Sequence, residues 1–134
     1  MKLSIFTSVS ALALIAAAPA FAQSNTSAVN QTGTNAKALV KQTGANSGST
    51  VFQASDLNDA KVTQSGLTGS DSSVSQTGAR NKATVTQSDD NTGYDPTQTS
   101  SVNQSGSDNI ADVIQTQRSS FGSAPGTKNS SAIN

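Results

Sequence analysis

Eight glutamines each stand two residues after a valine: Val29-Gln31, Val40-Gln42, Val51-Gln53, Val62-Gln64, Val74-Gln76, Val85-Gln87, Val102-Gln104 and Val113-Gln115. Two places before each valine a small residue alternates strictly between serine and alanine, as Ser27, Ala38, Ser49, Ala60, Ser72, Ala83, Ser100 and Ala111. A carboxamide neither titrates nor attacks. It offers two N–H donors and an acceptor oxygen, so the chemistry of this pattern is hydrogen bonding. Reactive alternatives are missing from the 134 residues, which include no His, no Cys and no Trp, and whose 8 acidic residues are all Asp. That inventory excludes a Ser-His-Asp triad, a thiolate nucleophile, an imidazole or thiolate metal site and a glutamate acid or base. The chain is read as a non-enzyme with no catalytic residue, no cofactor and no metal.

Steps of two place side chains on one face of a β-strand, so each patterned triplet predicts a strand whose inward face reads small, Val, Gln. The glutamines recur at intervals of 11 or 12 residues, with one interval of 17. Because Ser and Ala alternate, the true unit is a pair of strands. Two residues further back, the Ala-type halves carry Asn58, Asn81 and Asn109, with Ala36 in the first unit, and the Ser-type halves carry Asn25, Ser47, Ser70 and Gln98. Four units result, over residues 25–46, 47–69, 70–91 and 98–115, with an insertion at 88–99. The intervening positions hold Lys37, Lys41, Asp59, Lys61, Lys82 and Asp112, as a solvated face does. After the glutamines come turn signals, Thr32-Gly33, Thr43-Gly44, Ser65-Gly66, Thr77-Gly78 and Ser105-Gly106, whose glycines tolerate positive φ.

A strand of about six residues with a half-apolar face has no stability alone, so stacking unit on unit is the economical solution. The expected fold is all-β: a β-solenoid of four stacked strand-turn-strand repeats forming two facing parallel sheets, an amyloid-like cross-β arrangement. Stacked about 4.8 Å apart, Gln over Gln and Asn over Asn would bond as ladders, with Ser, Ala and Val packed between the sheets. Composition alone points elsewhere. Beyond residue 22 only 28 of 112 residues are hydrophobic, as in a disordered low-complexity segment. Composition does not account for eight Val-x-Gln pairs in alternating phase.

Residues 1–22 read as a secretory signal peptide: Met1-Lys2, an apolar run from Leu3 to Ala18, and Ala20-Phe21-Ala22 before cleavage at Gln23. A membrane anchor would need about 20 apolar residues, and Ser4, Thr7, Ser8, Ser10 and Pro19 interrupt this run. The mature chain is expected to have no membrane span, and its scattered charges argue against a nucleic-acid partner. Only Gln23 and Ser24 precede the first patterned residue, leaving the first rung uncovered. Asp89, Asn91, Gly93 and Asp95 faintly echo a calcium loop but lack its sixth-position glycine and terminal glutamate; with Tyr94 and Pro96 they read better as a bulged loop. Lys37, Lys41, Arg80, Asp56 and Asp89 are expected at solvent faces or turns, as gatekeepers against unwanted association or as plain solvation. Residues 116–134, with Gly122, Pro125 and Gly126, read as a flexible C-terminal tail outside the pattern.

The pattern resembles the curlin repeat, in which Ser, five residues, Gln, four residues, Asn, five residues and Gln recur. Two units match in full, Ser47-Gln53-Asn58-Gln64 and Ser70-Gln76-Asn81-Gln87. The fourth keeps Gln104, Asn109 and Gln115 behind Gln98, and the first has Asn25, Gln31 and Gln42 with Ala36 at the Asn position. The resemblance implies a secreted subunit that leaves the cell through an outer-membrane channel and polymerises at the surface into a biofilm fibre, as main subunit or nucleator. Its implied partners are further copies of itself, a nucleating subunit and the secretion channel. Curli subunits usually carry a polar segment of some twenty residues ahead of the first repeat and have five repeats, and this chain departs on both counts. From a different class comes a monomeric β-solenoid that binds ice or carbohydrate, but the outward positions form no regular threonine row.

Overall fold

A computed structural model describes residues 24–89, 97–117 and 129–134. The expected signal peptide, Gln23, the loop residues 90–96 and residues 118–128 of the tail lie outside the described residues, as does the side chain of Asp89.

Each Val-x-Gln segment forms a strand, and none of the described residues is helical. The strands are β1 (Thr26–Gln31), β2 (Lys37–Ala45), β3 (Gly48–Gln53), β4 (Asp59–Thr68), β5 (Asp71–Gln76), β6 (Lys82–Asp89), β7 (Gln98–Gln104), β8 (Ile110–Gln117) and β9 (Asn129–Ile133). Odd strands make one sheet in the order β1-β3-β5-β7-β9 and even strands the other, β2-β4-β6-β8. All pairings are parallel. The fold is therefore a β-solenoid-like stack of rungs, one strand of each rung in either sheet.

Register places like over like. Val29, Val51, Val74 and Val102 are successive partners in the first sheet, and Val40, Val62, Val85 and Val113 in the second. Ser27, Ser49, Ser72 and Ser100 stack beside the first column, and Ala38, Ala60, Ala83 and Ala111 beside the second. A strand slipped by one residue would turn its valine and glutamine out to water, so the buried face holds the register. From the second rung down the valines are buried, each burial favouring the fold by roughly 1.5 to 3 kcal/mol. Val29 and Val40 in the first rung pack against this core but stay partly exposed.

The expected flexible tail is corrected at its end. Residues 129–133 form β9, which pairs with β7 from Gln98↔Asn129 to Val102↔Ile133 and sets Ser131 beside Ser100. The first sheet thus has five strands rather than four. The physical reason is that Asn129, Ser131 and Ile133 keep the period of two and the small-then-branched order of an inward face, without the glutamine that marks the other strands.

The corners follow the expected turn chemistry in part. Gly44, Gly66 and Gly106 take the positive φ expected of them, as do Asn35, Asn46 and Asp108, whereas Gly33 and Gly78 do not; Asn35, Leu57, Arg80 and Asp108 are the left-handed positions of one corner column. These four each precede the first inward residue of a second-sheet strand. At Gly33, Gly44 and Gly78 glycine is also required because stacked corners touch. A Cβ at Gly78 would lie 1.5 Å from the Gly106 carbonyl oxygen, and one at Gly33 would lie 1.7 Å from that of Ser55. Since both neighbours are backbone, a Gly78→Ala substitution must push adjacent rungs away from each other; denaturant unfolding of the folded chain is expected to show a loss of roughly 3 kcal/mol.

Candidate functional site

The candidate site is the pair of glutamine columns. Gln31 Nε2 donates to Gln53 Oε1 at 2.6 Å, Gln53 to Gln76 at 2.8 Å and Gln76 to Gln104 at 2.8 Å. In the other sheet Gln42 donates to Gln64, Gln64 to Gln87 and Gln87 to Gln115, each at 2.9 Å. From Gln42 onward each Nε2 also straps a corner, bonding a backbone carbonyl at the start of a strand in the opposite sheet. Gln53 reaches the Lys37 carbonyl, Gln76 that of Asp59 and Gln87 that of Asp71. Gln53, Gln64, Gln76 and Gln87 are fully buried. Their amides stay neutral and spend both N–H groups and the oxygen inside the protein, which removes the cost of burying them.

Both ladders share one polarity: every glutamine-to-glutamine bond runs from an Nε2 to the Oε1 of the later rung. Gln104 and Gln115 at the lower end bond the Lys82 and Thr99 carbonyls through Nε2, and among the described residues neither donates to a further glutamine. Gln31 and Gln42 at the upper end likewise receive no side-chain donor at Oε1 among the described residues.

The asparagines behave differently from expectation. Asn over Asn does not form an amide ladder. Instead Asn58 Oδ1 accepts the backbone N–H of Asn81, and Asn81 Oδ1 that of Asn109, both at 2.9 Å. Their Nδ2 groups turn into the corner, Asn58 to the Ala54 carbonyl, Asn81 to that of Gly106 and Asn109 to that of Ser105. The reason is position: each asparagine follows a left-handed residue at a strand entrance, where its short side chain reaches the next rung's backbone before its amide. Asn25 does the same for the Ser47 N–H in the other corner. Asn58 and Asn81 are buried, whereas Asn109, in the last complete rung, is exposed.

The serine column has no such bonds. Ser49, Ser72, Ser100 and Ser131 hydroxyls are buried without a hydrogen-bond partner, while Ser27 in the first rung is exposed. Gln98 takes the strand-entrance place of Ser47 and Ser70 fully buried, with its Nε2 on the Ser88 carbonyl at 2.8 Å.

The described charged side chains sit outside, and two of the expected gatekeepers bond neighbouring rungs. Arg80 donates Nε and Nη2 to the two oxygens of Asp108, and Asp56 accepts the Thr34 backbone N–H. The Arg80 hydrogen bond holds the Asp108 carboxyl below its ordinary value, and the Thr34 N–H does the same for Asp56. Sequence reasoning missed the apolar residues on the outer face of the second sheet. Leu39 on β2 and Ile110 and Ile114 on β8 are well exposed, at the two ends of that sheet. The signal was present in large aliphatic residues at outward-phase positions, masked by the stronger inward pattern. β9 was missed for a related reason, since the repeat was recognised by its Val-x-Gln pair.

No protein-family model matches the chain, and neither a curated protein nor a solved structure matches it.

The amide and hydroxyl columns are expected to respond oppositely to truncation. Gln76→Ala leaves a buried donor on Gln53 and a buried acceptor on Gln104 unpaired and is expected to cost roughly 3 to 5 kcal/mol, whereas Ser72→Ala removes an unpartnered hydroxyl and should stabilise by about 1 kcal/mol. Urea midpoints of the two variants, moving in opposite directions, are the check. Because Asp56 and Asp108 titrate below the unfolded value of 3.8, what they add is present above that value and lost as pH falls through the folded pKa values. The ladders contain nothing that titrates. Far-UV circular dichroism is expected to keep its β signature from pH 7 to pH 3, with Asp108→Asn flattening the small acid-side loss of stability.

Proposed function

We propose that this chain is the structural subunit of a secreted, self-assembling, curli-like fibre at the bacterial cell surface, contributing to adhesion and biofilm matrix. The observation that carries the reading is the complementary state of the two ends. Gln104 and Gln115 each spend Nε2 on a single corner carbonyl among the described residues, which leaves a second amide N–H for a next rung, and Gln31 and Gln42 receive no side-chain donor at Oε1 there, which leaves acceptor oxygens for a previous one. A second copy whose β1 and β2 lie on β7 and β8 continues both ladders with no change of register. The edge of β1, the edge of β2 and that of β8 are parallel-strand edges of the kind that recruit further strands. The partly exposed Val29 and Val40 and the exposed Ser27 become interior on stacking.

The curlin-like spacing supports the same reading from sequence, and residues 1–22 supply the export signal it requires. The self-stacking surface suits a homopolymer, with a nucleating subunit and an outer-membrane channel as the partners such a system employs. A chain whose only patterned chemistry is amide hydrogen bonding needs no cofactor for this role.

Unseeded polymerisation of the chain lacking residues 1–22, followed with an amyloid dye and fibre diffraction, tests the proposal. A main subunit elongates after a lag and gives a reflection near 4.8 Å along the fibre. Gln31→Ala and Gln104→Ala should each slow growth several-fold, since each removes a ladder bond at the junction. Persistently monomeric protein at high concentration, or unchanged kinetics in both variants, would overturn end-to-end stacking.

A further inference from the structure

Residues 129–134 read Asn-Ser-Ser-Ala-Ile-Asn and residues 25–30 read Asn-Thr-Ser-Ala-Val-Asn, identical at four of six positions and conservatively exchanged at the other two. The structure gives the two segments equivalent seats at opposite ends of one sheet. In β1, Ser27 lies beside Ser49 and Val29 beside Val51. In β9, Ser131 lies beside Ser100 and Ile133 beside Val102, in the same two columns. We propose that β9 is an internal copy of β1, occupying the seat on β7 that β1 of a second copy takes in the fibre, and that growth proceeds by displacement of β9. The proposal rests on the stacking reading above and adds a regulated step to it.

Geometry favours displacement over addition. β9 extends the first sheet by one strand while, among the described residues, the second sheet ends at β8. A copy stacked beyond β9 would leave a level of the second sheet unfilled, and Gln115 with no ladder partner. A copy that replaces β9 fills both sheets at once.

The exchange also gains bonds. β9 pairs through five positions and stops at Val102, bringing no glutamine to Gln104. β1 pairs through six positions on β3 and ends with Gln31, whose oxygen meets the Gln104 amide when β1 sits on β7. Among the described residues no strand pairs with the outer edge of β8, and that edge supplies a landing place that β9 does not occupy. There Asp112 lies between Ile110 and Ile114, and the outer face of β2 presents Lys37, Leu39 and Lys41 in those three columns. With β2 of the incoming copy beside β8, both lysines flank Asp112 diagonally and lay their alkyl stems over the exposed isoleucines. Docking of β2 on β8 then holds β1 next to the strand it must replace.

In the free chain β9 covers one sheet edge and lowers the fraction of lower ends ready to accept a copy, so apparent affinity falls by that fraction. The test compares the chain lacking residues 1–22 with a deletion of residues 129–134 and with Ile133→Asp, which keeps the length but unseats β9. Elongation is measured on the same preformed seeds, and hydrogen exchange is read before and after assembly. Expected are elongation about tenfold faster in both variants, and, in the unaltered chain, protection of residues 129–133 as monomer that is lost in the fibre while residues 26–31 gain it. Equal or slower elongation of both variants in a preparation whose unaltered chain forms fibres overturns the displacement and leaves stacking standing, as does continued protection of 129–133 in the fibre. Failure of all three chains to assemble overturns the stacking reading and the displacement with it.

Discussion

A glutamine side chain inside a protein has two N–H donors and a carbonyl oxygen to satisfy, and an unpaired buried one costs about 1 to 3 kcal/mol. The four fully buried glutamines of the middle rungs meet that demand in one way. Each takes a bond from the glutamine of the earlier rung, gives one to the later rung and gives another to a corner carbonyl. The arrangement requires identical side chains at the strand spacing, in register and in parallel. Parallel sheets, equal rungs and a two-strand repeat follow from it.

The corners are where that requirement is most exacting. A ladder at strand spacing brings successive turns into backbone contact, and Gly33 and Gly78 provide the closeness while Asn35, Leu57, Arg80 and Asp108 make the left-handed bend. Asparagine fits the entrance of the next strand because it joins two rungs through the backbone, leaving the amide-on-amide geometry to glutamine. Serine contributes size rather than bonding. Its hydroxyls lie unpartnered beside the valines, at a cost that the small volume offsets by admitting close packing between sheets.

A repeating interaction with a direction has unlike ends. The upper rung carries acceptor oxygens and half-buried valines, and the lower end carries donor N–H groups together with β9, which lies over one sheet only. In the proposed fibre, assembly and its restraint would therefore draw on the same strand-edge chemistry. A segment that copies β1 without its glutamine satisfies the backbone of β7 while leaving the ladder open.

Much of this was legible in the residues. The period of two, the alternating Ser and Ala and the Val-x-Gln pairs determine eight strands, their inward faces, their register and the identity of the buried amides, because a two-residue period and a polar interior leave few other solutions. The ladder residues from Ser27 to Gln115 stack as that pattern requires, apart from the asparagines. What only the tertiary structure decided lies where two chain segments meet at a distance the sequence does not record. The asparagines bond backbone because a strand entrance brings the next N–H closer than the next amide. Gly33 and Gly78 are required by the carbonyl above or below them, not by their own φ. Residues 129–133 become a strand because β7 offers an unpaired edge, and a segment of that length gains its order from the edge it joins.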